Sequence, residues 1–186
     1  MKTLKIIAMA GAGLCMSAAV ASATAIDVGT LYSFGFGNTD SSLVSGAGFG
    51  SGTNPDTTPA PAPSWDFTLT SPGQLFVTDL FNSGDVFEIF NFGTSLGETS
   101  VAALGSDCLS DVTCAINDKN FSSAIYFLAV GTYSITGIVT SSPFGGGAGA
   151  FQVTTSAVPV PAALPLLATG LGALGVAGLR RRRKAA

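Results

Sequence analysis

The sequence contains no histidine and little charge. Only 10% of its 186 residues are Asp, Glu, Lys or Arg. Without histidine the chain lacks the commonest general base, the Ser-His-Asp hydrolase triad and histidine-ligated zinc. Outside the N-terminal segment only two cysteines are left, which is too few for the usual structural zinc site. We therefore expect no catalytic residues, no metal site and no cofactor.

Basic residues are almost absent from the middle of the chain. Of the eight Lys and Arg residues, only Lys119 lies outside the two terminal segments, whereas all 11 acidic residues lie between Asp27 and Asp118. One lysine against 11 carboxylates gives this middle section a formal charge of −10. Such a surface repels the phosphates of nucleic acids, so we expect no nucleic-acid partner.

The N-terminus has the layout of a secretory signal peptide. Lys2 and Lys5 precede an apolar run over residues 6–20, and the small residues that follow allow cleavage after Ala23 or Ala25. This order of charge, apolar run and small residues is typical of exported proteins, and the run is short for a transmembrane helix. We therefore predict a signal peptide over residues 1–25, with the Sec export machinery as a partner.

The exported chain keeps two cysteines, Cys108 and Cys114, with five residues between them. Export delivers them to a compartment in which disulfides form and persist. We predict that they close a small disulfide loop, whose contribution to stability is modest because short loops lose little entropy.

The C-terminal segment predicts a membrane-inserted helix. Residues 157–179 carry no charge and end against a basic cluster formed by Arg180, Arg181, Arg182, Arg183 and Lys184. A helix over residues 162–179 would be about 27 Å long, close to the roughly 30 Å hydrocarbon core of a bilayer. The positive-inside rule keeps the basic cluster cytoplasmic and places the preceding domain outside. A permanent anchor is one alternative for this segment.

The same segment resembles a known sorting signal. A proline motif, an apolar glycine-rich run and a basic cluster follow one another in the order found in the PEP-CTERM family. The motif consists of Val158, Pro159, Val160, Pro161 and Ala162. It is similar to the Val-Pro-Leu-Pro-Ala subgroup (VPLPA-CTERM), with Val160 in place of leucine. Members of this group occur in Gram-negative bacteria that make exopolysaccharide.

The resemblance implies a processing partner and a destination. Its family is cut near the proline motif by an exosortase, a membrane-embedded cysteine protease-transpeptidase. The chain would then be anchored transiently in the inner membrane, with its domain on the periplasmic side, before it reaches the cell surface or the extracellular matrix. Exopolysaccharide is a further partner that the resemblance implies.

The middle of the chain predicts an all-β domain over residues 26–156. Its aromatic residues, which extend from Tyr32 to Phe151, are enough for a core in roughly 130 residues. No segment shows a helical period, and short strands between glycine-rich and polar turns favour an antiparallel, jelly-roll-like β-sandwich. Residues 41–63 are low in complexity, and we expect them to form a long exposed loop.

Several strands can be assigned from patterns of apolar residues. Alternation of apolar and polar residues predicts strands over residues 65–70, 133–136 and 151–154. Two more apolar runs, 75–81 and 86–92, flank the turn sequence 82–85, which predicts a hairpin. A further turn at residues 129–132 would join a strand over residues 125–128 to the next one.

Two groups of carboxylates and one group of aromatics are candidate sites. The carboxylates Asp79, Asp85 and Glu88, and the carboxylates Asp107, Asp111 and Asp118, could bind calcium or supply a pair for glycoside hydrolysis. Neither group has the spacing of a known calcium loop, so we expect solvated surface charges. The aromatics Tyr32, Trp65, Tyr126 and Tyr133 could form a sugar platform, but we expect core packing, since Trp65, Phe67 and Leu69 share one strand face.

These expectations together describe a non-enzymatic protein of the cell envelope or extracellular matrix, associated with exopolysaccharide or biofilm. The alternative is a secreted carbohydrate-binding module of the same fold, assisted by calcium. Sugar-dependent thermal stabilisation would separate the alternative from a structural role.

Overall fold

The computed structural model describes residues 24–46 and 55–156, which fold mostly into β-strands. The strands are β1 (Thr24–Ala25), β2 (Leu31–Phe36), β3 (Val44–Ser45), β4 (Thr58–Pro59), β5 (Trp65–Leu69), β6 (Gly73–Asp79), β7 (Phe81–Asn82), β8 (Val86–Asn91), β9 (Thr94–Glu98), β10 (Asp107–Leu109), β11 (Ser123–Leu128), β12 (Gly131–Ser141) and β13 (Gly147–Thr155). In this part of the chain the one helix is α1 (Val112–Asn117).

Three predictions fall outside the described residues. They are the signal peptide up to Ala23, the sorting motif with its transmembrane helix, and the basic cluster at residues 180–184. Ala25, the second cleavage position, lies in β1. No helix within residues 24–46 and 55–156 is long and apolar enough to span a bilayer.

Most strands belong to two sheets. One sheet has the order β1-β5-β12-β8-β9, and the other has the order β11-β6-β13-β2-β3, with β4 added on β2. Pairing is antiparallel except where β1 joins β5 and β4 joins β2. A separate pair, β7 with β10, is also antiparallel. The predicted all-β class with antiparallel sheets is therefore confirmed.

Both sheets contribute to one hydrophobic core. On β5 the alternation of the sequence buries Trp65, Phe67 and Leu69, as predicted. The Trp65 ring packs on Phe34 and Phe151 of the other sheet, with ring centroids 5.7 and 4.2 Å away. Burial of such aromatic side chains removes large apolar areas from water and favours folding.

A second, smaller core lies under α1. It is formed by Leu80, Cys108, Val112, Ala115, Phe121 and Ala150. The helix begins at Val112, and Asp111 before it is the N-cap, whose carboxylate accepts the Cys114 N–H. Sequence periodicity missed α1 because six residues make fewer than two turns, too short for a period to show.

The predicted hairpin around residues 82–85 is wrong. β6 lies in the six-stranded sheet and β8 lies in the five-stranded sheet, so the turn carries the chain from one sheet to the other. Each strand turns an apolar face to the shared core, for example Leu75 on β6 and Phe87 on β8. The turn at residues 129–132 likewise joins β11 to β12 across the two sheets.

The prediction of an exposed loop over residues 41–63 is wrong at both ends of that range. β3 and β4 pair with β2, and Leu43 and Ala60 are buried. The Gly46 N–H donates to the Ala60 carbonyl at 3.0 Å, which joins the two ends of the segment. Residues 47–54 lie outside the described part of the chain.

Candidate functional site

The connection between β6 and β8 holds two buried carboxyl groups, Asp79 and Asp85. Asp79 is fully buried and Asp85 is 3% exposed. The expectation of solvated surface charge is therefore wrong for both. Glu88 is closer to that expectation. It is half-buried on β8, and its carboxylate accepts a hydrogen bond from the Ser95 hydroxyl at 2.6 Å.

Asp79 ties the two ends of this connection together. Its Oδ1 accepts the Leu80 N–H at 2.8 Å, and its Oδ2 accepts the N–H groups of Gly84 and Asp85 at 3.3 and 3.2 Å. A single side chain thus accepts three backbone N–H groups, of which that of Leu80 also donates to the Ala148 carbonyl of β13 at 3.1 Å. Its first role is to fix the path of the chain between the two sheets.

The surroundings of the pair disfavour negative charge. Burial, and after it the neighbouring Asp85 carboxylate, raises the pKa of Asp79 to about 8, although the three N–H donors act in the opposite direction. Burial also raises the pKa of Asp85, against a hydrogen bond from Ser142. Asp85 Oδ1 is buried and has no hydrogen-bond partner within the described residues.

Neighbouring loops cover the pair. A Cβ atom added at Gly84, whose φ is +148°, would lie 2.7 Å from side-chain atoms of both Leu104 and Pro143. These close contacts show that two distant loops pack on the turn that Asp79 holds. Both carboxyl groups lie buried beneath this turn. The pair is best described as the structural junction of the two sheets.

A cluster of buried hydroxyl groups continues this junction. The Phe87 N–H donates to Thr99 Oγ1 at 3.0 Å, and the Ser122 hydroxyl donates to the same oxygen. The Thr78 hydroxyl donates to the Ser122 carbonyl at 3.3 Å. These residues were missed in the sequence because nothing distinguishes a buried serine or threonine from an exposed one when the strand pairing is unknown.

The second group of acidic residues serves the local backbone. The carboxylates of Asp107, Asp111 and Asp118 accept N–H groups from Leu109, Cys114 and Asn120, at 2.8 to 2.9 Å. Across residues 24–46 and 55–156, no three Asp, Glu, Cys or His residues are grouped as a metal site would require.

Cys108 and Cys114 form the predicted disulfide, with 5.6 Å between their Cα atoms. The disulfide lines a shallow depression of about 320 Å³ together with Asp107, Leu109, Ser110 and Asp111. The Asp107 and Asp111 carboxylates in this depression accept the N–H groups of Leu109 and Cys114, in a turn and a helix cap.

The aromatic residues considered for a sugar platform do not share an exposed face. Trp65 and Tyr32 are buried, and each packs on Phe151. Tyr133 stacks on Phe67, while the Tyr126 hydroxyl donates to the Gly97 carbonyl at 3.0 Å. Core packing, the expected role, is confirmed for Trp65 and Tyr32.

The chain matches no family model, no curated protein and no solved structure among those compared with it. Its function therefore has to be inferred from its own sequence and geometry.

Proposed function

We propose that this protein is a non-enzymatic component of the cell envelope or extracellular matrix, exported by the Sec machinery and sorted by its C-terminal segment. The single observation that carries the proposal is the order of residues 158–184: a proline motif, an uncharged apolar run and a basic cluster. An exosortase-type protease would recognise this segment and release the domain to the surface, in association with exopolysaccharide.

The described fold supports this division of the chain. The last strand of the described residues ends at Thr155, and the Ser156 N–H donates to the Pro72 carbonyl at 2.8 Å. Cutting the chain at the proline motif would therefore leave every described strand intact. The domain would be a jelly-roll-like β-sandwich whose sheets need no contribution from the tail.

Two further observations are consistent with export. The Cys108–Cys114 disulfide belongs to an oxidising compartment such as the periplasm. Nine carboxylates outside the buried Asp79–Asp85 pair, against Lys119, give the described domain an acidic surface, which keeps it hydrated and soluble within a polysaccharide matrix. The buried carboxyl pair and the absence of histidine from the sequence support a structural role rather than a catalytic one.

The proposal is tested by the intact mass and the location of the protein expressed in its own host. We expect the loss of about 25 C-terminal residues, which corresponds to a cut near the motif, and recovery of the domain outside the inner membrane. The double variant Pro159→Ala/Pro161→Ala should keep its full mass and stay in the inner membrane.

A matched control exists within the domain. Pro59 and Pro61 have the same Pro-x-Pro spacing, so the variant Pro59→Ala/Pro61→Ala should be processed normally. An uncut chain in the inner membrane for all three proteins would show a permanent anchor and remove the basis for a matrix role.

A further inference from the structure

The described chain leaves the fold at a defined place, which we call the exit end. Gly73 at the start of β6 pairs with both Leu128, the last residue of β11, and Thr155, the last residue of β13. The turn between β5 and β6, the turn between β11 and β12, and residues 26–30 therefore lie together at this end. The contact from Gly29 N–H to the Val153 carbonyl, at 2.7 Å, fixes residues 26–30 there.

The exit end carries exposed apolar side chains. Phe127 is 84% exposed and Val130 is 59% exposed, and Val28 is also accessible. Ile125 lies two residues before Phe127 and is exposed on the same outer face of β11. Phe127 is thus a large aromatic side chain, almost fully exposed, within a group of exposed apolar residues. Such groups often mark an interaction surface.

Charge is distributed away from the exit end. Following the strand pairing, only Asp27, Asp56 and Asp66 lie in the half of the fold next to it. The other eight carboxyl groups lie in the far half. Asp79 and Asp85 are buried there, and the six accessible ones are Asp40, Glu88, Glu98, Asp107, Asp111 and Asp118. Apolar residues such as Phe144 are exposed in the far half too, so the distinguishing features of the exit end are its low charge and the departure of the chain.

The covalent tether from this end to the apolar run is short. Five residues lie between Ser156 and Ala162, where the predicted membrane helix begins, so the two are six peptide units apart. Even fully extended, six peptide units span at most about 22 Å. If the tail is inserted, the exit end is held within that distance of the bilayer surface.

We propose that, while the chain is anchored, the exit end rests on the periplasmic surface of the inner membrane and that Phe127 and Val130 contact the lipid interface. This inference rests on the proposed function, since it requires the tail to insert. Aromatic rings are favoured at the headgroup level of bilayers, and anionic headgroups repel carboxylates. The fold presents its low-charge end to the membrane and turns the acidic far half away from it.

The proposal is tested on the exported chain that still carries residues 157–186, inserted into phosphatidylcholine vesicles with brominated acyl chains. Bromine quenches tryptophan that lies in the bilayer. The variant Phe127→Trp should lose emission relative to the same protein in unbrominated vesicles. The matched control Phe144→Trp, an exposed position between β12 and β13 in the far half, should not. The native Trp65 is 1% exposed within the core and gives the same background in both.

Flotation of the same vesicles tests insertion of the tail separately from contact of the exit end with lipid. If the chain does not float with the vesicles, the anchored state fails, and with it the membrane contact. If the chain floats but Phe127→Trp is quenched no more than Phe144→Trp, the membrane contact alone is overturned. Dimers cross-linked through β11 in that sample would then assign the surface to a second copy of the chain.

Discussion

At the scale of single residues, Asp79 gives the protein an unusual dependence of stability on pH. Its pKa is raised from the ordinary 3.8 to about 8 in the folded chain. Below pH ~4 both the folded and the unfolded chain hold this proton, whereas between about pH 4 and 8 only the folded chain does. The free energy of unfolding should therefore fall as the pH rises through this window. The raised pKa of Asp85 acts in the same direction.

The variant Asp79→Asn tests this linkage because it removes the titrating group and keeps its shape. Urea unfolding of the wild type should show stability decreasing between about pH 5 and 8, and the variant should show a clearly flatter profile. At the acidic end the variant should be less stable by about 1–3 kcal/mol, since an amide NH₂ cannot accept the N–H groups that Asp79 now holds.

The control for this experiment is Asp107→Asn, which changes an exposed carboxylate that accepts one backbone N–H. It should keep the slope of the wild type. Parallel profiles for the wild type and Asp79→Asn would show that Asp79 does not carry the linkage.

The residue scale also shows where sequence reasoning stops. The burial of Trp65, Phe67 and Leu69 could be predicted because a period of two on one strand decides it. The burial of Asp79 and Asp85 could not, because it arises from tertiary packing around the Gly84 turn, which Leu104 and Pro143 reach from distant loops. Carboxylates are mostly exposed in proteins, but the sequence alone does not identify those that tertiary contacts bury.

At the scale of elements, the contact between β13 and β2 requires a residue without a side chain. A Cβ atom at Gly149 would overlap the Phe34 ring and lie 2.7 Å from the Thr78 carbonyl oxygen. The variant Gly149→Ala should therefore destabilise the fold by about 1–3 kcal/mol through overpacking. At Gly131 an added Cβ meets only the Tyr133 ring at 3.9 Å, so Gly131→Ala should change stability by less than about 0.5 kcal/mol in urea unfolding. Equal effects of the two variants would contradict this account of the packing.

The disulfide controls a second element, α1. A helix of six residues is not stable alone, and the Cys108–Cys114 bond holds its first turn against β10. Reduction should cost about 2 kcal/mol and increase hydrogen exchange over residues 112–118, while β5 and β12 stay protected. The double variant Cys108→Ala/Cys114→Ala should show the same exchange with and without reductant. Unchanged protection of α1 on reduction of the wild type would show that packing under the helix is sufficient.

Strand partners could be predicted less well than strands. The apolar runs that contain β6 and β8 were visible in the sequence, and a four-residue polar turn between them favoured a hairpin. A period of two identifies which face of a strand is buried, but it does not identify the sheet to which the strand belongs. Here Leu75 and Phe87 face the same core from opposite sheets. The apolar pattern of β6 and β8 fits this arrangement as well as it fits a hairpin within one sheet.

At the scale of the whole molecule, repulsion among the carboxylates of the described domain opposes folding. Outside the buried Asp79–Asp85 pair, nine carboxylates face one lysine, and six of the nine are gathered in the far half. Repulsion among like charges destabilises the folded state at low ionic strength and weakens as the Debye length shortens to about 10 Å at 0.1 M salt. The melting temperature should therefore rise when NaCl is increased from about 0.01 to 0.1 M, a change that thermal unfolding measures directly.

The same measurement distinguishes screening from a specific calcium site, on which the alternative of a calcium-assisted sugar-binding module depends. The carboxylates of Asp107, Asp111 and Asp118 are engaged by backbone N–H groups, and Asp79 is engaged by three. We therefore expect CaCl₂ and MgCl₂ at equal ionic strength to raise the melting temperature equally, because both act only by screening.

A larger rise with calcium that is lost in Asp79→Asn, but kept in Asp107→Asn, would instead place a calcium ion at the buried pair. Asp85 Oδ1, which has no hydrogen-bond partner in the described residues, would be its first ligand, and the function would move toward the carbohydrate-binding alternative.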